Sequence, residues 1–517
     1  MPNSGTRPKV VVTRKLPEPI ETRMMELFDA SLAECDQPMS REQLKVAVSS
    51  AHVLSPTVTD KIDADIIEAA GPQLKLIANY GAGVDHIDLE AAHAKGLIVT
   101  NTPGVLTEDT ADMAMALILA VVRRIGEGQR LVRAQQWEGW APTGLMGKTV
   151  RGKRLGIVGL GRIGALVAER LAGFGVRLIG FDPYVQPARA SQMGITLTTL
   201  DDLIGQSDFI SIHIPKTPET TGMIGLDELK KAKPTLRIVN ASRGGIIDEA
   251  ALHTALSEGW IAGAGIDVFV AEPPKDSPLL SLPNIVVTPH LGASTEEAQE
   301  KAGISVARSV RLALEGELVP DAVNVAGGVI DPSVRPGIPL MEKLGQVFVG
   351  LCDASITSVH VEIRGEIVEH DVSALKLAAL KGIFSRIVSE QVSYVNAPLL
   401  AEARGVEVSM STDPVSDEYR NLLSIRGVLG NGTTVSASAT LTGAKQAEKL
   451  VEVNGYDIEV PLAEHHIVMM YEDRPGIVAI YGRAFGDANI NIAGMQIARD
   501  TKGGKALSVL TVDSRVP

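Results

Sequence analysis

The chain has 517 residues, 45% of them hydrophobic and 21% charged, with a formal net charge of −13. That length predicts about three or four domains with independent cores, and the acidic balance argues against nucleic acid or an anionic membrane as the main partner. The two cysteines, Cys35 and Cys352, lie far apart without metal-ligand spacing, which points to a reducing, cytoplasmic setting and no metal centre. The segment MPNSGTRPKV lacks the apolar stretch of a secretory signal. The most apolar run, Met113 to Val122, is too short to span a bilayer.

In chain order, residues 9–13 (KVVVT) read as a strand and 18–30 as an amphipathic helix. An apolar stretch at 47–54, a helix at 62–70 and a strand at 74–78 follow. The loop Asn79-Tyr80-Gly81-Ala82-Gly83-Val84-Asp85 leads to a helix at 88–95 and a strand at 97–100. This alternation predicts a parallel sheet flanked by helices. A Pro/Gly turn, 101–107, precedes one long helix predicted over 108–134.

The next stretch carries the first chemistry. Leu155 to Val158 reads as a buried strand that enters Gly159-Leu160-Gly161-Arg162-Ile163-Gly164. A helical pattern follows, and then an apolar strand, 176–181, that ends in Asp182. Strand, glycine turn, helix, strand and acid at this spacing predict a dinucleotide site. Gly159 permits the tight turn, Gly161 lets the backbone approach a pyrophosphate, and Gly164 lets helix and strand pack closely. The helix N-terminus offers unpaired N–H groups to the phosphates. Asp182 accepts hydrogen bonds from the adenosine ribose and repels a 2′-phosphate, which favours NAD over NADP.

Strands recur at 209–213, 236–240, 262–266 and 285–288, giving a second doubly wound sheet. Three charged residues sit just past the ends of these strands: Arg243 in NASRGG, Glu272 in AEPP and His290 in TPHLGA. In an open α/β sheet that edge is where ligands bind. Oxidising a 2-hydroxy acid needs a base for the hydroxyl proton, a cation for the carboxylate and a nicotinamide for the hydride. His290 is the natural base, Glu272 can fix its tautomer, and Arg243 offers a bidentate fork.

Further on, a helix is predicted at 294–315 and a Gly/Pro linker at 326–339. Helices at 340–351, 373–390 and 397–404 then mix with strands at 356–364, 421–428 and 433–441 in a compact α+β domain. The last segment reads βαββ: a strand at 465–471, a helix at 475–488, and strands at 490–499 and 505–513.

The GLGRIG turn, NASRGG, Glu-Pro-Pro and TPHLGAST together resemble the NAD-dependent D-2-hydroxyacid dehydrogenase family over residues 9–325. The resemblance implies a substrate-binding domain in two parts, 1–101 and 294–325, around an NAD-binding Rossmann domain at 102–293, with the active site in the cleft between them. It implies Arg243, Glu272 and His290 as the catalytic set, and backbone amides of the loop Asn79, Gly81, Ala82 and Gly83 as the substrate carboxylate site. Arg162 and Ile163 match the pyrophosphate contact. Pro215 and Thr217 match the loop over the adenosine, and Ala241, Asp267 and Gly292 the nicotinamide side. A strand-end cap is the alternative for Asp267.

The tail sharpens the resemblance. HLGASTEEAQEKAGISVARSVRLALEGELVPDAVN, VNAPLLAEARG and MMYEDRPGIVAIYGRAFGDANINIAGMQIAR are similar to the long-type branch of the family, the phosphoglycerate dehydrogenases. That branch implies an intervening α+β domain, 326–460, and a ferredoxin-like ACT regulatory domain, 461–517, here shortened by a helix and an edge strand. It also implies L-serine as an effector at Tyr471, Asp473 and Asn491, and a homo-oligomer, dimer or tetramer. The activity implied is oxidation of 3-phospho-D-glycerate to 3-phosphohydroxypyruvate, the first step of L-serine biosynthesis. The core wording ANYGAGVDHID and NTPGVLTEDTADMAMALIL is closer to glyoxylate and hydroxypyruvate reductases. Leu54 and Asn79 stand where phosphoglycerate dehydrogenases often carry arginines. A reductase is therefore the alternative reading, and an NADH-sensing binding protein of the same fold is a second.

Overall fold

The computed structural model describes residues 7–325, 330–388 and 392–516. The first four residues of the predicted 326–339 linker and the end of the predicted 373–390 helix lie outside them. The chain divides into two compact units. One comprises Met1–Gly71, Ala78–Asp88 and Asn101–Arg308, the other Pro72–Ile77, Leu89–Thr100 and Ser309–Pro517.

The early strands are β1 (Lys9–Val12), β2 (Asp29–Ser31), β3 (Val53–Ser55), β4 (Leu76–Ala78) and β5 (Ile98–Thr100). β1 pairs in parallel with β2 on one side and β3 on the other. Leu54, which stands where an arginine is expected in the resembling branch, is fully buried within β3. The helix Glu296–Glu315 packs on the helix Glu18–Leu27. Gly303 leaves room for Ile20 there, since a Cβ would come within 2.4 Å of it.

The strands of the nucleotide region are β6 (Arg154–Val158), β7 (Arg177–Phe181), β8 (Thr196–Leu197), β9 (Phe209–Ile212), β10 (Arg237–Asn240), β11 (Gly263–Ile266) and β12 (Ile285–Val287). They form one parallel sheet in the order β12-β11-β10-β9-β6-β7-β8. The chain leaves β6 toward β7 and returns on its other side as β9, so the switch point of the sheet lies at the end of β6, where the glycine turn begins. Small residues set the packing. β11 is GAGI, and the Cβ positions of Gly263 and Gly265 lie 3.1 Å from Val121, so the helix Thr107–Val122 lies close on the sheet.

The single helix predicted over 108–134 is two helices, Thr107–Val122 and Ile125–Arg133. Arg124 is left-handed (φ 55°). The backbone N–H of Lys148 donates to Val122 O at 3.1 Å, so a returning segment caps the first helix where the pattern reads as continuous. The second helix buries none of its side chains.

In the other unit, β13 (Ile356–Gly365), β14 (Glu407–Asp413), β15 (Asn421–Leu429), β16 (Thr434–Thr442), β17 (Ala447–Val453) and β18 (Tyr456–Pro461) form a mixed sheet, order β14-β13-β15-β16-β17-β18. Only β13–β14 is parallel. β13 alternates buried and half-buried residues, the period-2 pattern of a one-faced sheet. The helices Gly337–Leu351 and Ser373–Phe384 cover that face, and Gly345 and Gly382 let their backbones meet: Cβ atoms would lie 2.5 Å from Ala379 O and 2.0 Å from Glu342 O. Strands β14, β17 and β18 are absent from the sequence reading.

The last strands are β19 (His466–Glu472), β20 (Ile492–Arg499) and β21 (Lys505–Val512), order β19-β21-β20, with the helix Ile477–Asp487 in between, the predicted βαββ. β21 is buried on both faces. Leu510 and Val512 pack with Tyr481 and Ile490, while Leu507 and Val509 join the core of the six-stranded sheet. Among the described residues no helix is long and apolar enough to cross a membrane.

Candidate active site

The glycine turn has the shape a dinucleotide requires. Gly159 has φ 91°, a Cβ on Gly164 would lie 2.0 Å from Gly159 O, and Gly161 faces open space. Gly161 caps the helix Arg162–Ala172 without a side-chain hydrogen bond, so Arg162 and Ile163 stand at an N-terminus free to receive an anion. Asp182 follows β7. Its carboxylate accepts from Leu160 N at 2.8 Å and Tyr184 N at 2.9 Å, tying the acid to the turn it serves. After β9, Pro215 and Thr217 lie in a loop stitched by hydroxyls: Thr220 Oγ1 donates to Pro215 O and accepts from Thr217 N, both at 2.8 Å. These residues fit NAD.

Glu272 and His290 meet. His290 Nδ1 and Glu272 Oε2 are 2.7 Å apart, and Glu272 Oε1 accepts from Phe269 N at 3.0 Å. Burial pushes the Glu272 carboxyl up. The His290 hydrogen bond, the Phe269 amide and the His290 and Arg243 charges outweigh it and hold the group below the usual carboxylate range. Nδ1 is thereby committed, and Nε2 is the ring nitrogen left to face a substrate.

His290 sits at φ 55°, in the left-handed region. Asp267 imposes that bend. It is fully buried; Oδ1 accepts from Thr288 Oγ1 at 2.6 Å and Leu291 N at 2.8 Å, Oδ2 from Gly292 N at 2.8 Å, and its carbonyl from His290 N at 2.9 Å. The cap reading of Asp267 is thus the one its bonds match: it braces the loop that presents His290.

Ala241 is buried just past β10, and Arg243 follows. The buried Asn240 braces this turn, donating to Arg243 O at 2.9 Å and accepting from Ser242 N at 3.0 Å. Arg243 Nε donates to Asp85 at 3.0 Å and Nη1 to Ser242 O at 2.7 Å.

The loop of Gly81, Ala82 and Gly83 lies against that guanidinium. Its carbonyls are occupied: Asn79 Nδ2 donates to Gly81 O and Gly83 O at 3.0 and 2.7 Å, and Asn101 Nδ2 to Ala82 O at 2.7 Å. Among the described residues the N–H groups of Ala82, Gly83 and Val84 have no partner, which is the arrangement of an anion nest. Asn79 is fully buried with both amide ends committed, since Oδ1 meets His86 Nε2 at 3.1 Å. Its side chain thus shapes the loop whose backbone amides are the expected carboxylate site. The roles of Asp85 and Asn240 have no signature in the sequence.

The effector positions are separately engaged. Tyr471 Oη bonds Ser508 Oγ at 2.6 Å, Asn491 Nδ2 donates to Asp513 at 2.6 Å, and Asp473 accepts from Arg499 at 3.1 Å.

Two half-buried histidines flank the site. Burial pushes His86 and His213 down to about 4. Both are neutral at pH 7, so their stabilising contribution is full above pH 6.5 and is lost as pH falls toward 4. Each then removes roughly 3 kcal/mol. Unfolding free energies at pH 7 and pH 5 should differ less in His86→Asn than in the parent; equal slopes would contradict the neutral state of His86.

The comparisons agree with this geometry. Residues 115–292 match the D-isomer specific 2-hydroxyacid dehydrogenase, NAD binding domain, and residues 333–454 the D-3-phosphoglycerate dehydrogenase intervening domain. The chain is 45% identical over 477 residues to a D-3-phosphoglycerate dehydrogenase of Mycobacterium leprae, covering 92% of this chain and 90% of that protein. It is 36% identical over 514 residues to one of Methanocaldococcus jannaschii, covering 98% and 96%. Among solved structures, a glyoxylate reductase from Paecilomyes thermophila is 29% identical with a TM-score of 0.55, covering 61% of this chain and 98% of that one. D-lactate dehydrogenase from Aquifex aeolicus, complexed with NAD and lactic acid, is 26% identical with a TM-score of 0.54, covering 60% and 96%. The glycine turn, the His290–Glu272 pair and the intervening segment thus converge on one assignment: the chain belongs to the D-isomer specific 2-hydroxyacid dehydrogenases, in the D-3-phosphoglycerate dehydrogenase branch.

Proposed function

We propose that the chain oxidises 3-phospho-D-glycerate to 3-phosphohydroxypyruvate with NAD, the entry step of L-serine synthesis. The observation that carries this is the similarity to D-3-phosphoglycerate dehydrogenases running through the intervening segment. The core alone is shared with glyoxylate reductases and lactate dehydrogenases.

The substrate carboxylate lies on the amides of Ala82, Gly83 and Val84 and on Arg243. His290 Nε2 takes the C2 hydroxyl proton as the hydride leaves C2. Glu272 holds the imidazole in the tautomer that leaves Nε2 able to accept, then stabilises the imidazolium. NAD, when bound, supplies the hydride acceptor. Gly159, Gly161, Arg162, Ile163 and Gly164 hold its pyrophosphate, Asp182, Pro215 and Thr217 its adenosine half, and Ala241, Asp267 and Gly292 border the nicotinamide. Addition of 3-phospho-D-glycerate to the purified protein should reduce NAD; no reduction at any pH would refute the assignment.

Asp182→Gly should weaken NAD about 10- to 100-fold, the range for hydrogen bonds to a charged group, and lessen discrimination against NADP. Fluorescence titration with both nucleotides checks this, and an unchanged ratio would remove Asp182 from that role.

One observation favours the reductase alternative. Among the described residues Arg243 is the one cation bonded to the 79–85 loop, and His86 is neutral there. A phosphate dianion calls for fixed cations.

We also propose the division 1–101 with 294–325, 102–293, 326–460 and 461–517, which the matched ranges 115–292 and 333–454 support. L-serine is the proposed effector at Tyr471, Asp473 and Asn491, and the setting is cytoplasmic. The chain acts as a homo-oligomer, a reading supported by the exposed Ile125, Val132, Trp137 and Trp140.

A further inference from the structure

Arg243 comes from the end of β10 and Asp85 from the far end of the glycine loop, 158 residues apart. Gly83 makes their meeting possible. A Cβ there would lie 1.5 Å from Arg243 Nη2 and 2.6 Å from Cζ, so the guanidinium occupies the space a side chain would fill. Two of its edges are gripped: Nε by Asp85 Oδ1 at 3.0 Å, and Nη1 by Ser242 O at 2.7 Å. Nη2, the nitrogen closest to the loop, takes no partner among the described residues. It is left beside the unpartnered amides of Ala82 and Gly83.

A carboxylate within hydrogen-bond distance of the cation that meets an anion-binding loop weakens the field that attracts an anion. Its presence needs a compensating use. Arginine on a flexible stem can aim its fork many ways, and a grip on Nε fixes which nitrogen points at the loop. An isolated surface pair of this kind contributes little to stability, and the Asp85 and Arg243 side chains are only 40% and 25% exposed.

We propose that Asp85 is a positioning residue for the 2-hydroxy acid reaction: it holds Arg243 by Nε so that Nη2 and the amides of Ala82 and Gly83 form one carboxylate site. This rests on the reading of Arg243 as the substrate cation. Asn at position 85 keeps an acceptor for Nε and removes the charge, while Ala removes both.

The test is steady-state kinetics of the full chain with NAD and 3-phospho-D-glycerate, alongside NADH titration by fluorescence. Asp85→Ala should lower kcat/KM by about 10- to 100-fold, the scale of a misplaced binding group, chiefly through KM, with NADH affinity unchanged. Asp85→Asn should restore kcat/KM to within about 3-fold and lower the substrate KM below that of Asp85→Ala. In an Arg243→Lys background, Asp85→Ala should add almost nothing, because coupled residues are non-additive. Asp85→Ala with parental kcat/KM overturns the proposal, as does an equal loss in Asp85→Asn or a full additional loss in the Arg243→Lys background. Parental turnover in Arg243→Lys and Arg243→Ala would instead overturn the reading of Arg243, which separates the two failures.

Discussion

Replacing His290 with Asn lowers kcat by about 10²- to 10⁴-fold, the usual contribution of a positioned general base, while NADH affinity stays within about 3-fold of the parent's. Asn is the informative substitution because the residue sits at φ 55°. Asn tolerates the left-handed region, whereas Ala would add backbone strain and confuse the comparison. The bends that hold this position belong to Asp267, which bonds Thr288, Leu291 and Gly292. The loop therefore keeps its shape when the ring is removed. Loss in kcat and kcat/KM alike would mark a group that acts in the transition state. Parental kcat in His290→Asn would remove the base assignment, and with it the 2.7 Å bond to Glu272 as a functional pair.

The second large effect is at Gly164. Its Cβ position lies 2.0 Å from Gly159 O and 3.3 Å from the Ile157 side chain, and the first of these is backbone, which cannot swing aside. Gly164→Ala must push the helix Arg162–Ala172 off β6 and carry its N-terminus away from the turn. We expect NADH affinity to fall at least about 100-fold, the scale set by roughly 3 kcal/mol of displaced phosphate contacts. Stability should fall by about 1–3 kcal/mol, as in other overpacked sites. Isothermal titration and a urea melt measure the two separately. Parental affinity in a folded Gly164→Ala protein would show that the turn does not cradle the cofactor. Gly161, which faces open space in the protein alone, should tolerate Ala in folding while still losing affinity, because the approach of a ligand is what demands the glycine there.

The parts of this architecture written in local pattern were legible. A buried strand, three glycines at fixed spacing and an acid at the end of the next strand fold as they read, because each residue type answers to its immediate neighbours. The βαββ order of the tail was legible for the same reason. Strands β14, β17 and β18 were not. EVSMSTD alternates small polar residues on an edge, AEKLVEV carries charges that suit a helix equally well, and YDIEVP is short. All three are fixed by pairing with neighbours, a context that local propensity does not contain. The break at Arg124 is likewise tertiary, set by Lys148 capping Val122 from a distance.

At the active site, Arg243, Glu272 and His290 stood out because each ends a strand at the binding edge of the sheet. Their support did not. Asp85 is a member of an ordinary loop until the fold brings Arg243 to it. Asn79 leads the glycine loop, and the scaffolding done by its buried side chain, with the amide spent on Gly81 and Gly83, has no signature in the sequence. Asn240 and Asp267 follow the same rule, since a buried polar side chain must satisfy itself on nearby backbone.

The substrate is where core and tail pull apart, and a rate comparison decides it. NADH oxidation should be measured with phosphohydroxypyruvate, hydroxypyruvate and glyoxylate, each with and without L-serine. The account predicts a kcat/KM for phosphohydroxypyruvate at least about 100-fold above the other two, the discrimination available to a site that pairs a charged group. A preference for glyoxylate or hydroxypyruvate would contradict it.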